Sequence, residues 1–443
     1  MSMESKTTIH TLLLQHFNSG AGAAGYLRGK IPGLSQQLAR FFASRSDIDR
    51  LQQAELLSER ILALTDFADM IPLRSAVATL EIKRLIAYKK QTDHTAHTLY
   101  LFLLGIWVYD HVSEIRQAVD ASIHSSKPVK MFLFQWTFAS LLHDVGYLYY
   151  DFEEGQNASS WSLYDEMLSI NYFQRYAGEL SEEAAEALQE SWKVFAKRYE
   201  LPIHGEQQSS GQLIKALDHI PWLAELLPSY HTGLETMNVS GGFSGNSNSS
   251  SESDSKSNTG SLGSGLPEFA YQMASSGYDG HPVVDHGVAS GLILLKYTSI
   301  WYWLSKHASE THPQLHEELN ARFHYFPHVL EKHVIPACKA VAYHNMPGVK
   351  FQLEQEPLLY LAVLCDEMQI WDRFLSGSEH IDNWRTIKPC MAEDIEAELI
   401  YGETGASLLH LMASAAHYDK LLGNLEKRVG DWSRFVQLSR LDS

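Results

Sequence analysis

Apolar residues recur at spacings of three and four along most of this chain, and the period-two alternation of half-buried strands is scarce. Residues 35–70 and 74–90 carry the one-sided apolar stripe of amphipathic helices, "SRSDIDRLQQAELLSERILALTDF" most clearly. Residues 93–112 and 129–144 are apolar on nearly every side, the mark of buried helices. The run "SEEAAEALQESWKVFAKRYE" opens on Ser181, a natural N-cap, with acids in its first turn. "LPEFAYQM" begins a short segment, and residues 284–304, 327–345 and 356–375 predict three more helices. One or two last helices are expected over 391–430, after Pro389. Residues 240–265 are almost entirely Ser, Gly, Asn and charge; they lack the apolar area that offsets ordering entropy and predict a flexible loop. The expected class is therefore all-α: a helical region at 1–90, a helical bundle at 91–380 with an insertion at 151–280, and C-terminal helices at 381–443.

Composition narrows the function classes. The chain has 443 residues, 45% of them hydrophobic, enough for a sizeable core. Its formal net charge of -18 argues against non-specific binding to nucleic acid or anionic membrane. Three cysteines, Cys338, Cys365 and Cys390, form neither a disulfide framework nor a Cys-type zinc site. The start "MSMESKTTIHTLLLQHF" reads as no signal peptide, and runs such as "HTLYLFLLGIWVY" are too short to span a bilayer. The expectation is a soluble, cytoplasmic protein, its oligomeric state open.

The chemistry lies in polar residues set inside apolar helices. His97 opens "HTLYLFLLG", His143 and Asp144 close "FLFQWTFASLLHD", His286 opens "HGVASGLILLKY", His344 closes "PACKAVAYHN", and Asp366 lies within "LLYLAVLCDEMQIWDR". A single such His is more often a satisfied core residue than a ligand. Several, in separate buried helices, are better explained together: buried charges must be paired or bind metal, and a divalent ion in a bundle takes imidazole and carboxylate alike. That donor mix suits Fe, Mn, Zn, Co or Ni, one ion or two, and Mg less well.

In this order, H…HD…H…H…D, the chain resembles the HD-domain superfamily of metal-dependent phosphohydrolases. The matching stretches are "HTLYLFLLG", "LLHDVGY", "DHGVASGLILL", "AVAYHN" and "LCDEMQIWDR", spread over residues 90–375. The resemblance implies that His97, His143, Asp144 and Asp366 hold one metal. It implies further that His286 and His344 are the extra ligands of two-metal members such as the HD-GYP branch, with Asp144 bridging. The implied activity is hydrolysis of a small phosphate ester, a nucleotide or cyclic nucleotide, with Asp144, Arg373 and Tyr147 around the reacting group. Two metals a few ångströms apart would clamp a phosphoryl oxygen.

The chain departs from that branch at Tyr147, where relatives often carry Lys, and the GYP signature is absent; hydrolysis of cyclic di-GMP is not carried over. A di-iron oxygenase on the same ligands, or a non-catalytic nucleotide-binding module, are the alternative functions. Several assignments stay open: His94 against His97, and His281 against His286. Asp285 is either a group orienting a ligand or a helix-terminal charge. Arg373 is either a phosphate clamp on the face of Asp366 or a structural ion pair with Asp372 or a neighbouring acid. Asn345 is a substrate contact or a helix end, Glu367 leans to the surface, and Glu153 and Glu154 are expected to be solvated. His324, His328 and His333 are surface residues by default.

Overall fold

The structure is a computed structural model describing residues 7–19, 22–88, 94–148, 157–201, 219–228, 285–322, 324–346, 349–373, 390–401 and 407–441. The polar loop 240–265, "LPEFAYQM", His281, Glu153, Glu154 and most of the insertion lie outside the described residues.

The fold is mostly helical, as the periodicity predicts. Five helices lead: α1 (Ile9–Ser19), α2 (Gly22–Lys30), α3 (Leu34–Phe42), α4 (Asp47–Leu64) and α5 (Ile71–Tyr88). The single helix expected over 35–70 is broken at 43–46. There the Ser46 side chain accepts from the Asp49 N–H (3.2 Å) and starts a new helix. Then come α6 (His94–His111), α7 (Ser113–Ile123) and α8 (Pro128–Leu141). Every residue of α6 from Thr95 to Tyr109 is buried, so α6 is the axis of the bundle rather than a surface helix.

Helices α9 (Asn157–Met167), α10 (Ile170–Tyr176), α11 (Glu182–Tyr199) and the short α12 (Leu223–Leu226) belong to the insertion. Ser181 caps α11 as expected, accepting from the Ala184 N–H (3.2 Å). Helix α13 (His286–Thr311) runs 26 residues and is buried over His286–Ser305. It is followed by α14 (Pro313–Arg322) and α15 (Pro327–Val329); a π-turn, Leu330–Val334, then leads into α16 (Ile335–Tyr343). Helix α17 (Pro357–Met368) ends seven residues earlier than the expected 375.

The N-terminal helices are an extension of one core, not a separate body. Ile9, Leu13 and Phe17 of α1 join the same buried cluster as α6, α8, α13, α16 and α17. Polar contacts fix the docking. Asp110 at the end of α6 accepts from the first amides of α2, Ala23 (2.8 Å) and Ala24 (3.1 Å), and from His16 of α1 (3.0 Å).

The C-terminal helices expected over 391–430 are corrected in part. Helix α18 (Ala415–Arg428) is there, but β1 (Ile395–Tyr401) and β2 (Ser407–Ala413) precede it and β3 (Val436–Arg440) follows. β1 and β2 pair antiparallel, with Ile395 opposite Ala413; β2 and β3 pair parallel, joined by α18. The reason is period two: Ile395 and Ala397, then Leu409, Leu411 and Ala413, point inward on alternate positions. The β1 edge also meets the start of the chain, where Thr8 bridges to Glu396 and the Ala397 N–H donates to the Thr7 carbonyl (2.9 Å).

Candidate metal centre

The six side chains expected to bind metal converge where α6, α8, α13, α16 and α17 meet. His143 and Asp144 follow directly on α8, at the turn into a 3₁₀ segment, Val145–Leu148. Asp144 is the hub. Its Oδ1 lies 3.3 Å from His143 Nε2, 3.4 Å from His286 Nε2 and 4.0 Å from His344 Nε2. On the far side of His143, His97 Nε2 stands 2.9 Å from Asp366 Oδ1. His286 and His344 face each other, Nε2 to Nε2, at 3.3 Å. For metal–ligand bonds of about 2.1 Å, neighbouring donors sit about 3.0 Å apart at right angles and about 3.4 Å apart in a tetrahedron. Four of the five spacings, 2.9 to 3.4 Å, match that range to within about 0.1 Å, and Asp144 Oδ1 to His344 Nε2 is wider at 4.0 Å. Two overlapping groups could each hold an ion: His97, His143 and Asp366, and His143, Asp144 and His344.

The outer ring nitrogens fix the direction of the inner ones. His143 Nδ1–H donates to the Ser140 carbonyl (2.6 Å), His344 Nδ1–H to the Val341 carbonyl (2.6 Å), and His97 Nδ1–H to Gln369 Oε1 (2.5 Å). Gln369 is itself oriented by donating to the Trp371 carbonyl (2.5 Å). With Nδ1 spent as a donor, Nε2 presents a lone pair to the cluster, the tautomer that metal-binding histidines adopt. His97 Nε2 is fully buried and faces the carboxylate oxygen Oδ1 of Asp366. A cation between them would be held by both.

The electrostatics agree. Burial pushes His143 down to about 3 and His286 down to about 4, so both rings are neutral at pH 7. Burial alone would raise the carboxyl of Asp144, but His143, the hydrogen bond from His94 and His286 outweigh it and hold it well below the usual carboxylate range. Asp366 is likewise held down, against its burial, by His97, Arg373 and His143. Two carboxylates, Asp144 buried and Asp366 mostly so, beside the neutral rings of His143 and His286 make a pocket that calls for a divalent cation.

His94 and His97 both belong to the centre, in different ways. His94 Nδ1 reaches Asp144 Oδ2 (3.0 Å), opposite the oxygen that the other histidines face. Tyr147 is stacked between His94 (ring centroids 3.7 Å apart) and His286 (4.1 Å), which places it against both rings that flank Asp144. Arg373 stands past the end of α17, not two turns along it. Even so, its Nη1 lies 3.8 Å from Asp366 Oδ1. Asp372 accepts from Tyr100 Oη–H (2.7 Å) and from the Ala392 N–H (3.2 Å), and His10 Nε2 stands 3.3 Å from it.

Asp285 is the N-cap of α13, accepting from Gly287 N–H (2.9 Å) and Val288 N–H (3.1 Å), and Asn345 Nδ2 donates to its other oxygen (2.8 Å). That pair ties the residue before His286 to the residue after His344. Glu367 is not a surface acid. It is partly buried against Arg428 (3.4 Å), and burial, with Asp366 adding to it, pushes it up to about 7.

Two glycines permit the close approach. A Cβ on Gly146 would lie 2.0 Å from the His286 carbonyl oxygen, and one on Gly287 2.8 Å from the His344 ring. One key residue escapes the sequence reading altogether. Arg74 of α5 is 2% exposed and spans three elements. It donates to the Leu141 carbonyl (2.6 Å), the Thr95 carbonyl (2.8 Å) and Thr98 Oγ1 (2.7 Å), and pairs with Glu55 (3.2 Å). Glu81, also buried, accepts from the Thr95 N–H at the start of α6. A single amphipathic-helix Arg carries no signal of this kind. A void of about 10 Å³ beside Asp144 and Arg74, room for about one water, is lined by His94 and Thr98.

Among the described residues, no helix is long and apolar enough to cross a membrane. No protein-family model, curated protein or solved structure matches this chain.

Proposed function

We propose that the chain is a metal-dependent phosphohydrolase of the HD type, acting on a small phosphate ester such as a nucleotide. The observation that carries the reading is the convergence of four Nε2 atoms and two carboxylates from five separate helical segments, in two groups that share His143, with Nδ1 locked outward on His97, His143 and His344. The donor set suits one or two Mn, Fe, Co, Ni or Zn ions better than Mg. When bound, such an ion supplies Lewis acidity toward a phosphoryl oxygen and lowers the pKa of water.

The chain's own residues supply the rest. His97, His143, Asp144, His286, His344 and Asp366 would hold the metal. Gln369, Ser140 and Val341 aim three of the rings. Asp144, ionised, accepts a hydrogen bond from His94 through Oδ2, which leaves Oδ1 turned toward the metal-holding side chains. Arg373, one-third exposed, has the planar donor fork that suits a phosphate. Tyr147 replaces a lysine charge with a phenol. Burial pushes that phenol far above its usual range, so it stays neutral, able to hydrogen-bond a substrate but carrying no charge.

The test is metal analysis of the purified protein together with turnover of a panel of nucleotides and phosphodiesters. The expected result is at least one transition-metal ion per chain and hydrolysis of a panel member, both lost in His143→Ala. Bound metal without hydrolysis of any panel member, or hydrolysis unchanged in His143→Ala, would refute it. Two irons per chain with an O₂-dependent spectral change would give the site to oxygen chemistry instead.

A further inference from the structure

A second chamber opens away from the metal centre. It is a cavity of about 460 Å³ between the end of α4, α8, α13 and α15, within the size range of small-molecule pockets. Thr298 and Trp301 of α13 line it. Thr298 lies twelve residues beyond His286, about 18 Å along the helix, so this space is not part of the metal cluster.

Its walls are aromatic. Trp301 and Tyr325 lie nearly parallel with ring centroids 5.6 Å apart, Tyr302 stands edge-on to Tyr325 at 5.3 Å, and Phe134 closes the side toward α8. Two carboxylates, Asp66 and Asp69, line the same space with one lysine, Lys130, and four histidines, His124, His324, His328 and His333. Asp69 Oδ2 accepts from the Trp301 indole N–H (2.9 Å). Burial pushes Asp69 up to about 6, the sign of a carboxylate that lacks a full positive counter-charge. The fourth element is Thr298. It is 6% exposed, and its Oγ1 is buried with no hydrogen-bond partner among the described residues. A buried hydroxyl left unsatisfied costs about 1–3 kcal/mol, so a ligand that meets it gains by that contact.

Aromatic faces attract cations through their negative quadrupole, and a desolvated carboxylate adds a full charge. Neutral aromatic ligands would use the walls but leave Asp69 uncompensated. Phosphate could use Lys130 and the histidines but would meet Asp66 and Asp69, two carboxylates of its own sign. The geometry points to a binding site for a small organic ammonium ion, its cationic head held by Asp69 and the Trp301–Tyr325 walls and a polar group meeting Thr298. This site is independent of the metal reading and stands or falls without it.

Calorimetric titration of the whole protein decides the matter, with choline as probe, its neutral isostere 3,3-dimethylbutan-1-ol, and inorganic phosphate as the anionic control. Choline is expected to bind saturably, at least tenfold more tightly than the neutral alcohol, with no heat from phosphate. Asp69→Asn keeps the acceptor for Trp301 and removes the charge, and should weaken choline at least tenfold. Thr298→Val, of the same shape, should weaken it several-fold without touching Asp69. Each variant is checked for a native circular-dichroism spectrum and melting transition, and if Asp69→Asn fails that check, Thr298→Val alone decides. Absence of choline binding, equal binding of the neutral alcohol, tighter binding of phosphate, or full affinity in a natively folded variant overturns the proposal.

Discussion

Replacing Arg74 by Met should be among the most damaging single changes in the chain, although Arg74 touches no proposed ligand. The side chain is buried and makes hydrogen bonds of 2.6, 2.7 and 2.8 Å to Leu141, Thr98 and Thr95. Hydrogen bonds to a charged group contribute about 1.5–3 kcal/mol each. Their removal also strands Glu55, at 3.2 Å, and the buried Glu81 beside it. Breaking a buried ion pair from one side costs about 3–5 kcal/mol. Methionine returns part of this through apolar packing, so the net loss is set at about 3–5 kcal/mol. Urea denaturation, with unchanged slope, reads it as a lowered midpoint. Arg74→Lys keeps the charge but not the fork and should lose about half as much. In a double-mutant cycle, Glu55→Gln should recover at least about 1.5 kcal/mol of the Arg74→Met loss. Metal content is expected to fall as well, because Arg74 fixes the carbonyl of Leu141, two residues before His143. A variant within about 1 kcal/mol of the parent would refute the reasoning, since it would mean that those carbonyls and Glu55 find other partners.

Gly287→Ala places a Cβ 2.8 Å from His344 Cε1, and the ring must turn away; metal affinity should drop at least tenfold, with about 1–3 kcal/mol lost in stability, read by metal titration and melting. Arg428→Met frees the His344 carbonyl and leaves Glu367 unpaired; it should lower both melting temperature and metal content, and unchanged metal content would separate the C-terminal unit from the centre. Asp69 has a folded pKa near 6 against an ordinary value of 3.8, so the folded state holds this proton longer than the unfolded one. Its contribution to stability therefore falls as pH rises from 4 to 6, by up to about 3 kcal/mol. Asp69→Asn should gain on the parent over that interval in urea midpoints taken at pH 4, 5, 6 and 7; a gap that does not change with pH contradicts the assignment.

The His/Asp cluster that could hold a metal is largely legible in the sequence because each of its groups breaks a local rule. His97, His143, Asp144, His286, His344 and Asp366 are polar residues at the ends or in the middle of apolar runs, and such residues need a common partner. His94 was harder to place: three residues from His97 it shares a helix face, and only the turn after α8, which brings Asp144 Oδ2 to its Nδ1, gives it a different task. Arg74 was illegible because one Arg on an amphipathic helix reads as a solvated charge; its burial depends on α6 and α8 arriving from elsewhere in the chain. The strands β1 and β2 were missed for a related reason. "IEAELIY" fits period two, but Glu, Ala and Leu favour helix, and pairing with β2 and with Thr8 settles the competition. The aromatic cavity left no linear trace, since Asp69, Phe134, Thr298 and Tyr325 come from four separated segments.

The bridge from Thr7 and Thr8 to β1 sets a clock on the molecule's assembly. Its two sides are roughly 390 residues apart, which at ~5–20 residues per second is ~20–80 s of synthesis. Helix α1 therefore emerges long before the strand that anchors its leading end, and before Asp372, which His10 approaches to 3.3 Å. Contacts of such long range make folding slow. A chain halted before Glu396 has all six proposed ligands, yet lacks the bridge at its N-terminus and the Arg428 contact behind His344. Nascent chains of that length are expected to be protease-sensitive at α1 and poor at retaining metal, until the last strand is released.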